Sequence, residues 1–483
     1  MANQWQTTNT PKPYSAVSNP GPVLQQPHQS QQEAPPPYTG PPVYHDTQPI
    51  VEYAIIVPRP GAGRRFLSSF FVATFIWLLL SLLVQSSVNA LQFGHKHHGR
   101  SVGGSAVSSD LNLGNCVSGK SWNQARRTSP FALLRLNFGG DAQASGSTNF
   151  TLPISSDALL FLSRGQNLGG SITIITSPTQ SFQSATINVQ ATSNSQQGLQ
   201  QTKACLLTRN ANENGVGVFT PTSGYSPLWN VNFHITVILP DVGNGEPLHI
   251  KDLETDLPDS SHQIGDLSTK ILFDSISLSG SNGPIAVQSL ATTSGKINTS
   301  NGQISGIFNA SESLLLATTD SGIRVDVGLT SQGSDSNPML TARTSNAAID
   351  ANINLFSSSG SGGTFTVNAE TSNQPLKIAF PNAPSGSTLD LQASTQNGQA
   401  SVILDAAYAG SFDVQTSAFE DAKVNVVRPN VDGRHVNFSG EGRGETAGTV
   451  SWDNQSSSGA GKVVVEVSGL YVYKKYYNRE STL

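Results

Sequence analysis

The chain has 483 residues with a net charge of -5, and Lys, Arg, Asp and Glu together make up only 12% of it. No basic stripe is present to neutralise a phosphate backbone, which argues against a nucleic-acid binder. Solvation falls to 64 Ser, 38 Thr, 35 Asn and 30 Gln, and these, together with 45 Gly, oppose long helices, because short polar side chains compete for backbone groups and Gly costs entropy; an all-helical protein is excluded.

Residues 1–65 are rich in Pro and Gln and poor in aliphatic side chains, the composition of a disordered tail. Within this tail Pro35-Pro36-Pro37-Tyr38 and Pro41-Pro42-Val43-Tyr44 both fit Pro-Pro-x-Tyr. That pattern suits WW domains: a preformed polyproline II helix slots its prolines between aromatic rings while the Tyr fills a neighbouring pocket. The expected contacts are Pro35, Pro36, Tyr38, Pro41, Pro42 and Tyr44. Tandem motifs of this kind resemble those by which membrane proteins recruit HECT-type ubiquitin ligases, with Lys12, the tail's one Lys, as the ubiquitin acceptor.

From Phe66 to Val84 run 19 residues without charge, long enough as a helix to span the roughly 30 Å of a bilayer core. The long tail in front identifies a signal anchor rather than a cleaved signal, although Val88-Asn89-Ala90 also fits a cleavage site. Arg59, Arg64 and Arg65 precede the span, against Lys96 and Arg100 after it. The bias favours a cytosolic N-terminus and a lumenal or extracellular C-terminal region, hence a single-pass type II protein of the plasma membrane or secretory pathway.

Residues 85–130 read as stalk and linker. Residues 131–269 form a β-rich leading part, with alternating strands at 148–154, 171–176, 185–191, 204–208 and 231–239. Cys116 and Cys205 both follow the span; in an oxidising compartment they form a disulfide, the other possibility being two buried thiols. Glycosylation sequons stand at Asn149, Asn298, Asn309, Asn437 and Asn454, a number that chance alone supplies in so Ser/Thr-rich a chain.

Beyond residue 270 the texture becomes a loose repeat, a Thr/Ser-Asn-Gly turn followed by alternating apolar residues. Taking Thr293, Thr319, Thr344, Thr371 and Thr395 as markers, the spacings are 26, 25, 27 and 24 residues. Such a period matches the stacked coils of a right-handed parallel β-solenoid over residues 270–470, followed by a tail at 471–483; tandem β-sandwiches are the alternative. The inward residues expected are Ile304, Ile323, Val325, Ile349, Ile353, Leu376, Ile378, Val402 and Leu404. The chain as a whole is therefore mainly β, with one transmembrane helix.

The runs ILFDSISLSGSNGPIAVQSL, TSNGQISGIFNASESLLL and TTDSGIRVDV, with HITVILPD before them and GTVSWDNQ after, resemble the putative-adhesin β-solenoid family of fungal membrane-anchored proteins over about residues 185–470. The resemblance implies a surface-exposed solenoid and supplies no catalytic residues.

Chemical motifs are weak. Gly114-Asn115-Cys116-Val117-Ser118-Gly119-Lys120-Ser121 has Walker A spacing, with Ile235 to Asp241 as a conceivable Walker B, but lacks the flanking strand and helix a P-loop needs. His95, His97 and His98 form a short linker tract rather than a metal site. Asp252, Glu254 and Asp256 alternate like a calcium loop, yet Leu257 stands where the EF-hand needs Gly. Asp320, Asp326 and Asp350 are the carboxylates from which a polysaccharide-cleaving site would be built. The reading favoured is a noncatalytic, cofactor-free adhesin-like surface protein that contacts cell-wall polysaccharide or a surface protein; the alternative is a carbohydrate-active enzyme on the same scaffold.

Overall fold

The computed structural model describes residues 110–123, 144–222, 229–243, 245–333, 335–417, 422–426, 433–442, 444–453 and 461–468. The strands begin with β1 (Asn112–Ser118), β2 (Ala144–Pro153), β3 (Ala158–Arg164), β4 (Leu168–Ser177) and β5 (Ser184–Ser193). After the short helix α1 (Gln196–Gln201) come β6 (Lys203–Thr208), β7 (Glu213–Phe219) and β8 (Val231–Pro240). Then follow β9 (Leu248–Asp256), β10 (Ser260–Asp266), β11 (Ile271–Ser279), β12 (Ile285–Asn298), β13 (Ile304–Ala317), β14 (Ile323–Ser331), β15 (Met339–Thr344) and β16 (Ile349–Ser357). The last are β17 (Thr364–Thr371), β18 (Leu376–Asn382), β19 (Thr388–Thr395), β20 (Ala400–Ile403), β21 (Gly410–Gln415), β22 (Arg434–Gly442), β23 (Glu445–Trp452) and β24 (Gly461–Val467).

The strands form two ladders. Ladder a runs β2-β5-β8-β4-β10-β12-β13-β14-β16-β18-β20 and is parallel from β8 onward. Ladder b runs β1-β6-β7-β3-β9-β11-β12-β13-β15-β17-β19-β24-β21-β23-β22 and is parallel from β7 to β21. Each coil of chain gives one strand to each ladder. β12 and β13 serve both, and the bends that carry β12 across fall at the register shifts between Val287 and Leu290 and between Thr292 and Ser294. Parallel pairing of this kind excludes the tandem antiparallel sandwiches; antiparallel strands occur at the ends of the ladders.

Alternation aims every second side chain at a core shared by both ladders. Ile304, Ile323, Val325, Ile349, Ile353, Leu376 and Ile378 are all buried there, whereas Val402 and Leu404 are only partly covered. The core column Ile285, Ile304, Ile323, Ile349, Leu376, Ala400 shows the true spacing, 19, 19, 26, 27 and 24 residues. The longer coils add loops at 332–338, 358–363 and 383–387, without which two of them have 19 residues and the middle one 21. Thr293 therefore was no turn marker: it lies inside β12, and its apparent 26-residue spacing to Thr319 is a coincidence of composition.

The turns facing those loops carry the real markers. Thr299, Thr318, Thr344, Thr371 and Thr395 are buried, and each hydroxyl donates to a carbonyl of the preceding turn, as Thr344 Oγ1 does to Thr319 O at 3.2 Å and Ser321 O at 3.0 Å. Gly302 and Gly398 follow because the neighbouring coil's backbone crowds them: a Cβ would stand 1.9 Å from Gly283 O and 2.0 Å from Gln374 O. Thr344→Val keeps the shape and removes the bond. We expect a loss of about 1 kcal/mol, read as a lower denaturant midpoint with unchanged m.

Two boundaries drawn from the sequence move. The segment 85–130 is more than a linker, because β1 within it pairs antiparallel with β6. Residue 270 is no domain boundary, because Ile271 of β11 pairs with Leu248 of β9 in one continuous ladder. β3 escaped the alternation pattern for a physical reason. Leu159 and Phe161 face the shared core, while Leu162 packs with Cys205, Leu207 and Phe219 in a second, small cluster, so both sides of the strand are apolar.

Candidate interaction surface

The outer side of ladder a between β13 and β20 presents rows set by the strand register. One row is Ile307, Asp326, Asn352, Ala379 and Ile403; the next is Ser305, Arg324, Asp350, Lys377 and Ser401. Asn352 Nδ2 donates to Asp326 Oδ1 at 2.7 Å. Asp350 lies between two cations, 3.9 Å from Arg324 Nε and 3.8 Å from Lys377 Nζ, contacts long and solvated enough to contribute little stability. Phe356, exposed, lies across the bare backbone of Gly328 beside Asn309. Uncharged polar groups, compensated charges and isolated apolar side chains thus share one regular surface.

The turn edge carries a second row. Asn301 Nδ2 donates to Asn282 Oδ1 at 2.6 Å, Asn373 Nδ2 to Asn346 Oδ1 at 2.7 Å and Asn397 Nδ2 to Asn373 Oδ1 at 2.9 Å. Asp259 and Asp320 join the same row by accepting from Asn282 and Asn346. Asp320 is therefore on the turn edge while Asp326 and Asp350 are on the outer side of ladder a, and the three carboxylates do not converge.

Two of the three alternating acids of β9 are held by arginines rather than arranged around a cation. Glu254 accepts from Arg209 Nη1 at 2.8 Å and Nη2 at 2.7 Å, and Asp256 pairs with Arg164. Arg209 holds the Glu254 carboxyl below its ordinary range, whereas burial, followed by the Glu254 neighbour, pushes Asp252 up to about 6. Among the described residues no group of three or more His, Cys, Asp or Glu could hold a metal ion. The bidentate Arg209–Glu254 pair also ties the β6–β7 turn to β9 across β3.

The Walker-like run is a strand. Residues from Gly114 to Ser118 belong to β1, a single 3-10 turn follows at Gly119–Ser121, and Trp122 is buried, so no helix N-terminus faces a phosphate. In the matching Ile235–Asp241 segment, Ile235, Val237 and Leu239 are core and Asp241 pairs with Lys270 Nζ at 3.0 Å. Cys116 and Cys205 are joined by a disulfide, with Cα atoms 4.0 Å apart where β1 bulges against β6.

Of the sequons, Asn149 and Asn437 are exposed, Asn298 and Asn309 are half-buried. Asn454, His95, His97, His98, Lys12, both Pro-Pro-x-Tyr motifs and the 66–84 span lie outside the described residues. Among the described residues no helix is long and apolar enough to cross a membrane.

No family model matches the chain, and no curated protein does. Solved structures similar to it include two named for adhesion. A putative adhesin from Parabacteroides merdae is 9% identical with a TM-score of 0.24, over 54% of this chain and 96% of its own. A putative cell adhesion protein from Clostridium sporogenes is 9% identical with a TM-score of 0.18, over 68% of this chain and 96% of its own. Both neighbours are thus named for adhesion; likeness this low leaves function to the residues themselves.

Sequence reasoning allowed for Ser, Thr and Asn rows stacked on the outside, where the Asn row stands, and missed the buried Thr column. The signal was present: a Thr two positions before Asn in 299–301, 344–346, 371–373 and 395–397. It also missed His262, buried in ladder a where its register neighbours are Ile172 and Ile285. A lone His in an alternating strand carries no mark that separates core from surface.

Proposed function

We propose that the chain is a noncatalytic adhesin-like surface protein. Its right-handed β-solenoid stands outside the cell or in the lumen, anchored by residues 66–84 as a type II span, with residues 1–65 in the cytosol for WW-domain partners such as a HECT-type ubiquitin ligase. The observation that carries the reading is the outer side of ladder a: a broad, register-locked array of polar and isolated apolar groups, with carboxylates spread out and paired rather than gathered. Such an array suits many weak contacts with an extended cell-wall polysaccharide or a surface protein.

Two experiments test it. Cells displaying the full chain should bind purified cell-wall polysaccharide or neighbouring cells severalfold better than cells without it, without releasing new reducing ends. Binding that survives disruption of the array by Asn352→Arg with Phe356→Glu, or release of reducing ends, overturns the adhesive reading. For the tail, replacing both Tyr38 and Tyr44 by Ala should abolish capture of WW domains. Protease sensitivity of residues 1–65 outside sealed cells overturns the topology.

A further inference from the structure

Among the described residues no strand lies beyond the end strands of either ladder, and such an edge is a template for pairing with another chain. Two of the four ends are blunted by their own structure. β1 is bulged and disulfide-tied, and β20 has only four residues. The other two are long: β2 has ten residues and β22 has nine, the latter bulged between Phe438 and Gly440. Both carry the same exposed sequon pattern, Asn149-Phe150-Thr151 on β2 and Asn437-Phe438-Ser439 on β22.

The geometry on β2 is specific. Ser147 exchanges both backbone hydrogen bonds with Asn123, at 3.0 and 3.1 Å, on the side away from β5. Alternate residues of a strand share that side, so the backbone N–H and C=O of Asn149 and Thr151 face the same outer edge. Among the described residues Asn123 alone pairs there. Pro153, next in the set, has no N–H to offer.

The sequons inside the ladders differ. Asn298 is flanked by β11 and β13; its Nδ2 donates to Ser279 Oγ at 3.1 Å and its Oδ1 is buried. Asn309 lies between β12 and β14, its Oδ1 so close over Gly328 that a Cβ there would stand 2.4 Å away. A glycan on either side-chain amide conflicts with these contacts.

We propose that Asn149 and Asn437 carry N-linked glycans that shield the two long edges and keep one copy of the chain from pairing edge to edge with another. The proposal rests on the lumenal placement argued above. A glycan is bulky and hydrated, so on an edge strand it does what Lys or Pro does elsewhere, at larger radius.

The test uses the full chain made in a eukaryotic secretory host and solubilised in mild detergent. Glycopeptide mapping should find Asn149 and Asn437 occupied and Asn298 and Asn309 bare. Enzymatic removal of glycans from the folded protein, and separately the N149Q/N437Q variant, should at least double the particle mass measured by light scattering. Adding T151K and S439K to that variant should restore the original mass. Occupied Asn298 or Asn309 in folded protein, or deglycosylated protein whose mass stays unchanged, overturns the proposal. Protease treatment of sealed microsomes separates the two ideas: bare sequons on a protected region of residues 110–468 overturn the glycan proposal alone, while digestion of that region overturns the topology as well.

Discussion

Breaking the Cys116–Cys205 bridge should lower the stability of the folded chain by about 4.6 kcal/mol in the chain-entropy view, because the bridge closes a loop across 89 positions of sequence. The bond joins β1 to β6 at the free end of ladder b, and Cys205 is itself buried beside Leu162, Leu207 and Phe219. Reduction therefore frees a large loop of the unfolded chain and also loosens β1, whose seven residues pair among the described residues with one strand, β6. Denaturant unfolding of oxidised and reduced protein, beside a Cys116→Ser/Cys205→Ala variant, measures the effect. The variant should match the reduced protein and lie well below the oxidised one. Equal midpoints for all three would show that the loop is already restrained in the unfolded chain.

Acidification from pH 7 to pH 4 should cost the fold about 3 kcal/mol through His262 alone. Its ring is fully buried in a position that is Ile in both register neighbours, with Nε2 2.8 Å from Thr255 Oγ1. Thr255 in turn accepts from Ser279 N–H at 3.1 Å, so this polar pair is built into one coil of a largely apolar core. Burial pushes the imidazole down from 6.5 to about 4, against a weaker upward pull from the Ser260 backbone. The folded state thus binds the proton less readily than the unfolded one. The stability this group contributes is complete above about pH 6.5, shrinks as pH falls below it and is gone once pH passes about 4. Comparing midpoints at pH 7 and pH 4 for the native chain and for His262→Ile isolates the effect. The variant should lose about 3 kcal/mol less than the native chain over that interval; parallel losses would mean that the ring gains a proton without leaving its place.

The strand alternation was readable because it is local. In β14, Ile323, Val325, Val327 and Leu329 are buried and the residues between the first three face outward, a pattern visible in seven letters of sequence. β3 was not readable, because Leu159, Leu160, Phe161 and Leu162 are apolar toward two different clusters and lose the alternation that marks a half-buried strand. The repeat was seen with the wrong marker. Thr344, Thr371 and Thr395 stand in equivalent turns, but the earlier two equivalents are Thr318 and Thr299 rather than Thr319 and Thr293. Coil length varies wherever a loop is added, and only pairing shows which residues stack. At the surface, the acids of β9 looked like a calcium loop because spacing records alternation and not partners. Arg209 and Arg164 come from segments far away in sequence and neutralise Glu254 and Asp256.

By itself the amino-acid sequence determined that this protein is built from short strands and Asn/Gly turns with little charge, and which side of most strands is apolar. Those properties depend on neighbours two to four residues apart. Tertiary structure alone decided that β8 stacks outside β4 before the chain returns to β9 and that β12 and β13 belong to both ladders. It also decided that His262 is core and that Asn149 and Asn437 lie on end strands of the described ladders while Asn298 and Asn309 are enclosed. Each of these depends on which distant strand supplies the next row of hydrogen bonds, and strands of similar alternation are interchangeable until the whole stack selects one register.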